Sequence, residues 1–403
     1  MIPDEPRPVV PESRMLELLY TEIGRGHPYY LDGIVDALIR SARVRLVRRQ
    51  TNVFDLSHGL SRLAWKTARW LYRHSSPRNP IGLFYARLRK KANYNHGNWG
   101  LHFLARDIRS QFMAEESPLL VAHPVLVAAL RGRRNLIYQH GEMSAPHESL
   151  VLGAERLIVP TKAVAQAFLE AGYDRERIHV SGLCIEPALV RQATESFELR
   201  RKRLEGRGVL TGAFYSSGAE PKVHVERLIE VAWSTVTAGH RVLVFARTGG
   251  LLAAQTIQRF GRIGADFLVV TPETPIEGEI PRATLLLYQN RREEYALTAR
   301  LFSWFDFVVA PAHERSNWGM GLGLPMVIIG PDIGSFAPLN RRLLLDRGVA
   351  LEVGTRLKAE SLGEKLRRLH KSSVLAAMAE AGWQRHDING FSSIAEWLDQ
   401  HYS

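Results

Sequence analysis

The chain has 403 residues, 23% charged and 45% hydrophobic, which excludes wholesale disorder and exceeds one ordinary core, so two domains are expected. Its formal net charge of +12 calls for an anionic partner or neighbourhood. The lone cysteine, Cys184, excludes an internal disulfide, the longest apolar runs are too short to cross a bilayer of ~30 Å, and the acidic, proline-rich start is unlike a secretory leader, so a reducing cytoplasm is the expected setting.

In chain order, "RMLELLY" reads as a strand and "YLDGIVDALIRSA" as the helix that follows it. Between them, "IGRGHPYYLDG" sets Gly24, Arg25, Gly26 and His27 at the corner. A Gly-x-Gly turn before a helix exposes backbone N–H groups that can hold an anion. Glycine corners are nonetheless common in α/β folds, and a lone histidine there is as a rule a cap or a surface residue. "VRLVRR" is the next strand.

From Leu56 to Arg106 there are ten Lys or Arg and no Asp or Glu. Within this stretch "LSRLAWKTARWLYRH" spaces Arg62, Lys66, Arg69 and Arg73 for one helical face. Leu60, Leu63, Ala64, Thr67 and Leu71 recur on the opposite face, with Trp65 and Trp70 at the borders. Two readings stay open: a helix lying on an anionic membrane surface, or a solvated helix packing its apolar stripe on its own domain. No zinc spacing, RNA-binding aromatic motif or helix-turn-helix pattern supports a nucleic-acid partner.

The strands "PLLVAH", "NLIYQH", "RLIVPT" and "IHVSGL" follow, with "KAVAQAFLEAGY" a helix among them. They place His123 at one strand end and Glu142 and His147 after the next. Apolar runs alternating with amphipathic helices predict a parallel sheet covered on both faces. "SFELRRKRLEGRG", residues 196–208, breaks the rhythm and reads as a linker. It divides a first domain, 1–195, carrying the basic arm 56–106, from a second, 209–403. The second restarts the pattern with "VLTGAFYSSG", "RVLVFART", "DFLVV", "TLLLYQ", "FDFVVAP" and "PMVIIG", and closes on a short helix in "IAEWLDQHYS". The expected fold is α/β, two doubly wound Rossmann-like domains whose strand ends face each other across a cleft.

Taken in this order, His27 after the glycine corner, His123-Pro124, Glu142 and His147, and Gly182 and Pro187 after the last strand resemble the N-terminal domain of monogalactosyldiacylglycerol synthases and related diacylglycerol glycosyltransferases. Peptidoglycan N-acetylglucosaminyltransferases are more distant relatives with the same two-domain fold, called GT-B. The family's first loop usually reads Gly-Gly-Gly-His, and Gly24-Arg25-Gly26-His27 is similar to it, with Arg25 at the middle glycine position. In the second half, Gly323-Leu324-Pro325, Asn340 and Gly348 are similar to the family's donor-binding stretch. Trp318 stands where the family has a ribose-holding glutamate, and Glu314 lies one helical turn earlier. Ser216-Ser217-Gly218 is a sparse version of the phosphate loop, and Arg247 is placed to meet a diphosphate.

The resemblance implies a hexosyltransferase that uses a nucleotide-sugar as co-substrate, needs neither cofactor nor metal, and inverts the anomeric carbon. The acceptor it implies is a hydroxyl on a lipid such as diacylglycerol. His27 is the first candidate base, since an imidazole titrates near neutrality. Glu142 is the second, or orients His27 or His147. Gly24, Arg25, Gly26 and His123 would form the acceptor loop. Ser216, Ser217, Gly218, Arg247, Glu314, Asn317, Gly323 and Asn340 would hold the donor. The basic arm would make the enzyme peripheral to the cytoplasmic membrane. Two alternatives stand beside this reading: a catalytically inactive GT-B-like nucleotide-binding or regulatory protein, and a nucleotide-sugar 2-epimerase.

Overall fold

Short runs of Leu, Ile and Val between turns suit strands buried on both faces. The first half builds β1 (Leu16–Tyr20), β2 (Val47–Asn52), β3 (Leu119–Val121), β4 (Leu136–Gln139), β5 (Arg156–Val159) and β6 (Ile178–Val180). They form one parallel sheet in the order β2-β1-β3-β4-β5-β6. The computed structural model describes residues 15–21, 23, 26–41, 43, 46–74, 87, 93–96, 99–276 and 280–402. Gly24 and Arg25, and much of the basic arm beyond residue 74, lie outside these.

The second half adds β7 (Thr211–Tyr215), β8 (Arg241–Arg247), β9 (Phe267–Val270), β10 (Ala283–Tyr288), β11 (Phe307–Ala310), β12 (Met326–Ile329) and β13 (Ala350–Val353). Their sheet is also parallel, ordered β13-β12-β11-β7-β8-β10-β9. The chain thus forms an α/β fold of two doubly wound sheets, as the alternating pattern predicts. β13 escapes the sequence reading; "ALEV" is a short run between glycines at a sheet edge.

Strand order reverses between β1 and β3 in one sheet and between β7 and β11 in the other, and such reversals are where doubly wound sheets bind ligands. Register keeps these rims level. Leu19 stands opposite Val121 and Val121 opposite Tyr138, so Ala122 and His140 follow at similar height.

Two elements differ from expectation. Residues 196–208 do not form an open linker: helix Ala193–Glu205 buries Phe197 and Leu204 in the second core. Its Arg200, 0% exposed, donates to the carbonyls of Phe305, Leu322 and Gly323 at 2.7–3.1 Å. The last helix, Gly390–Tyr402, turns back onto the first sheet, where Phe391, Ile394 and Leu398 pack with Leu18, Ile34 and Leu38. Gly33 makes room for it, since a Cβ there would meet the Phe391 ring at 2.2 Å.

The basic helix Gly59–His74 forms, rotated from the expected setting. Trp65 is wholly buried and its indole N–H donates to the Leu104 carbonyl at 3.1 Å, whereas Leu60, Leu63 and Trp70 are 57%, 61% and 48% exposed. Among the described residues, no helix is long and apolar enough to cross a membrane.

Candidate active site

His27 enters the site from the first turn of helix Gly26–Arg40 and reaches the reversal point of the first sheet. Its Nδ1 lies 2.6 Å from the Ala122 carbonyl. A carbonyl only accepts, so Nδ1 carries a proton, and in the neutral form of the ring the lone pair is on Nε2. His123 follows Ala122 and caps helix Pro124–Ala129, its Nδ1 accepting from the Val125 N–H at 3.1 Å. The His27 and His123 rings are 4.3 Å apart between centroids. Pro124 at the first helical turn, with a capping side chain before it, explains why the chain turns there.

Glu142 lies beside them after β4. A Cβ at Gly26 would stand 3.3 Å from its Oε1, so the glycine corner admits this carboxylate. Asn340 of the second half donates to Glu142 Oε2 at 2.9 Å and to the Ala312 carbonyl at 3.2 Å, and accepts from the Ser144 hydroxyl at 2.6 Å. Burial pushes the Glu142 carboxyl up to about 7 against the lowering effect of Asn340, and Glu314 adds to the rise. The Tyr30 hydroxyl is buried nearby without a hydrogen-bond partner of good geometry. His140, buried and facing the Ser144 carbonyl at 2.9 Å, is pushed down to about 4 by burial and stays neutral. His147 begins a short 3-10 turn and is exposed.

Across from this cluster the second sheet offers its own rim. A cleft of about 1160 Å³ runs between the two halves, lined by Pro28 and Tyr29 on one side and by Ser217, Gly218 and Arg247 on the other. His27 itself does not line this cleft, and neither do His123, Glu142, His147, Ser216, Glu314 or Asn340. Ser216 and Ser316, after β7 and β11, have buried hydroxyls without partners.

The remaining donor-side candidates make contacts within the protein. Asn317 donates to the Cys184 carbonyl at 3.1 Å. Gly323, at φ +57°, packs against Phe197 and the Ala379 carbonyl, where a Cβ would come within 2.8 Å of the ring and 2.7 Å of the oxygen. Neither lines the cleft. Glu314 is buried and accepts from Arg315 Nη1 at 3.0 Å. Trp318 donates from its indole to Glu186 of the first half at 3.0 Å. Burial raises the Glu186 pKa.

Sequence reasoning missed Arg315. Its guanidinium sits 4.0 Å over the Tyr215 ring and bridges Glu314 to Glu294. It lies one residue from a predicted site position, but its partners are distant in sequence, so no local signal marks it. Among the described residues, no group of three or more His, Cys, Asp or Glu is placed to hold a metal ion.

No protein-family model matches the chain, and no curated protein matches it at a significant level. Solved structures do. A candidate UDP-N-acetylglucosamine 2-epimerase from Listeria monocytogenes superposes with a TM-score of 0.53 at 12% identity, over 94% of this chain and 93% of its own. The UDP-GlcNAc 2-epimerase of Neisseria meningitidis, bound to UDP-GlcNAc, gives 0.51 at 9% identity over 96% and 99%. The glycosyltransferase of kitacinnamycin gives 0.50 at 11% identity over 96% and 98%. Likeness at this identity concerns the fold, and the fold is GT-B-like, built in this chain from two parallel sheets of six and seven strands.

Proposed function

We propose that this chain is a nucleotide-sugar-dependent hexosyltransferase that acts on a hydroxyl acceptor at a membrane surface. The observation that carries the reading is His27: an imidazole whose Nδ1 faces the Ala122 carbonyl at a sheet reversal, next in sequence to Pro28 on the wall of a cleft that also bears Arg247. In the step we envisage, the acceptor oxygen bonds to the anomeric carbon from the face opposite the leaving group. The bond from that carbon to the diphosphate oxygen breaks, the diphosphate keeps the electron pair, and the hydroxyl proton passes to His27 Nε2. Arg247 and the backbone N–H groups of residues 217–219 would meet the charge that develops on the diphosphate. Glu142, its carboxyl raised toward neutrality by burial, is suited to position His27 and the acceptor hydroxyl.

The membrane part of the proposal rests on helix Gly59–His74. Leu60, Leu63 and Trp70 are exposed, and Arg62 and Lys66 are exposed beside them. An apolar stripe flanked by cations suits the cytoplasmic face of an anionic bilayer, where a lipid acceptor such as diacylglycerol would be presented.

The test is calorimetric binding of UDP, with sugar transfer from UDP-hexoses followed on the same preparation. His27→Ala is expected to lower turnover by roughly 10²–10⁴-fold while leaving UDP affinity unchanged. Full turnover in that variant, or no nucleotide binding by the parent, would sink the reading. A second reading, a nucleotide binder without turnover, is favoured by Trp318 at the glutamate position and its bond to Glu186. UDP binding with no release of sugar from any donor would decide for it.

A further inference from the structure

Between β7 and the helix Lys222–Thr237 the chain makes one short turn, Ser216 to Pro221, which holds the backbone groups set against the diphosphate above. Its small side chains, Ser-Ser-Gly-Ala, do little to fix its shape; among the described residues the buried Ser216 hydroxyl has no partner. Glu220 closes the turn. Its N–H donates to the Ser217 carbonyl at 2.9 Å, and its φ is +43°. A non-glycine residue with positive φ is uncommon, and one that precedes a proline is biased toward extended backbone. Such a conformation persists only where its surroundings enforce it.

Here the Glu220 carboxylate enforces it. Its Oε2 accepts from the Leu251 N–H at 2.7 Å and from the Leu252 N–H at 3.4 Å, the first two amides of helix Leu251–Phe260. Gly250, before that helix, supplies no capping side chain, and a Cβ there would stand 2.7 Å and 2.8 Å from the two Glu220 oxygens. With φ at −75°, Gly250 is a glycine for the space it leaves and not for its backbone. Its own N–H donates to the Arg247 carbonyl at 2.8 Å. One carboxylate thus ties the turn after β7 to the turn after β8, which carries Arg247. Glu220 lines the same cleft as Ser217, Gly218 and Arg247, where a negative charge by itself opposes an anionic ligand. That charge is directed instead at a helix N-terminus, where the peptide dipoles favour it.

We infer that Glu220 is a positioning residue for the diphosphate: it holds turn 216–219 and Arg247 in one mutual arrangement through the start of helix Leu251–Phe260. The inference rests on the transferase reading and adds the side chain that organises its anion-facing loop. Donors already in place bind a charge better than donors that must be ordered by it, so the tie is felt as diphosphate affinity. Two roles for this carboxylate predict opposite signs. Removing a bare acid beside an anion lets the anion bind more tightly, whereas removing a tie lets it bind less tightly.

Calorimetry with UDP on the full chain, beside saturation-transfer NMR with uridine, which lacks the diphosphate, reads the sign. Glu220→Gly removes the tie and is at ease at positive φ, so relief of strain offsets loss of the cap and the melting temperature should stay near the parent's. This variant is expected to bind UDP about tenfold more weakly and uridine as the parent does. Glu220→Gln keeps an oxygen for the Leu251 N–H and should bring UDP affinity back to within about threefold of the parent. UDP bound by Glu220→Gly as tightly as by the parent, or more tightly, overturns the inference. So does a parallel loss of UDP and uridine binding, which would mark general damage to the fold. A Glu220→Gln variant as weak as Glu220→Gly also overturns it, because an acceptor at Leu251 is what the tie requires. If the parent binds UDP and Glu220→Gly binds it equally, this inference fails alone; if the parent binds no UDP, the transferase reading fails first and takes this one with it.

Discussion

Glu142 is a carboxyl that the fold holds near its neutral form. Burial raises its pKa to about 7, and the neighbouring Glu314 works in the same direction. An unfolded glutamate titrates at ~4.3, so the native state binds an extra proton between the two values. The stabilising share of this site is therefore complete below about pH 4 and is lost as pH rises through about 7. The gap corresponds to on the order of 3 kcal/mol. Glu142→Gln keeps an acceptor for the Asn340 amide and removes the titration. Urea denaturation should find the variant more stable than the parent at pH 8, with the difference closing by pH 4. A difference that does not change with pH would mean that the carboxyl is ionised and solvated in the fold.

The basic helix shows what a pattern can and cannot specify about an element. Periodicity set Leu60, Leu63 and Thr67 on one face correctly, since spacing fixes which residues share a side. It did not tell which side faces in. Trp65, expected at the border, is the anchor: it is 0% exposed, bonded to the Leu104 carbonyl and packed on Phe54. One large buried indole outweighs two leucines that find no core beside them. The two sheets were legible for a related reason, because apolar runs of four to seven residues between turns have few other uses in an α/β chain. Helix Ala193–Glu205 was not, because its charged sequence gives no hint that Arg200 finds three carbonyls inside the second core. The site divides in the same way. His27 and His123 follow strand ends and could be read, whereas Glu186 and Trp318 meet only when the halves come together. Trp65→Ala is expected to cost about 3–5 kcal/mol in denaturant unfolding. Leu60→Ser/Leu63→Ser should change stability by less than about 0.5 kcal/mol per site yet lower flotation with anionic liposomes. Equal recovery of parent and variant, or of the parent on neutral and anionic liposomes, would remove the helix as a docking face.

At the scale of the whole molecule, the two sheets are tied by more than the cleft. Asn340 reaches Glu142, Asn317 reaches the Cys184 carbonyl, Trp318 reaches Glu186, and Arg291 reaches Asp32. The strongest tie is topological. The chain leaves the second sheet through residues 383–389 and ends in a helix whose Phe391, Ile394 and Leu398 complete the first core. Leu183 and Gly390 hold the crossing to the end of the first half: Leu183 N–H donates to the Asp387 carbonyl at 2.7 Å, and Gly390 N–H to the Leu183 carbonyl at 3.0 Å. The first core therefore cannot form before the second half has been made, and it loses part of its covering when the second half unfolds. Two sheets with separate cores would melt in two steps. A shared terminal helix makes the first sheet depend on the second, so a single calorimetric transition is expected. Phe391→Ala removes a ring that fits against Gly33 and Tyr29 and should cost about 3–5 kcal/mol. Because the helix belongs to both halves, the variant should shift the whole transition downward. A scan that splits into two peaks, with only the one assigned to the first half displaced, would show that the halves fold independently and that the crossing helix does not couple them.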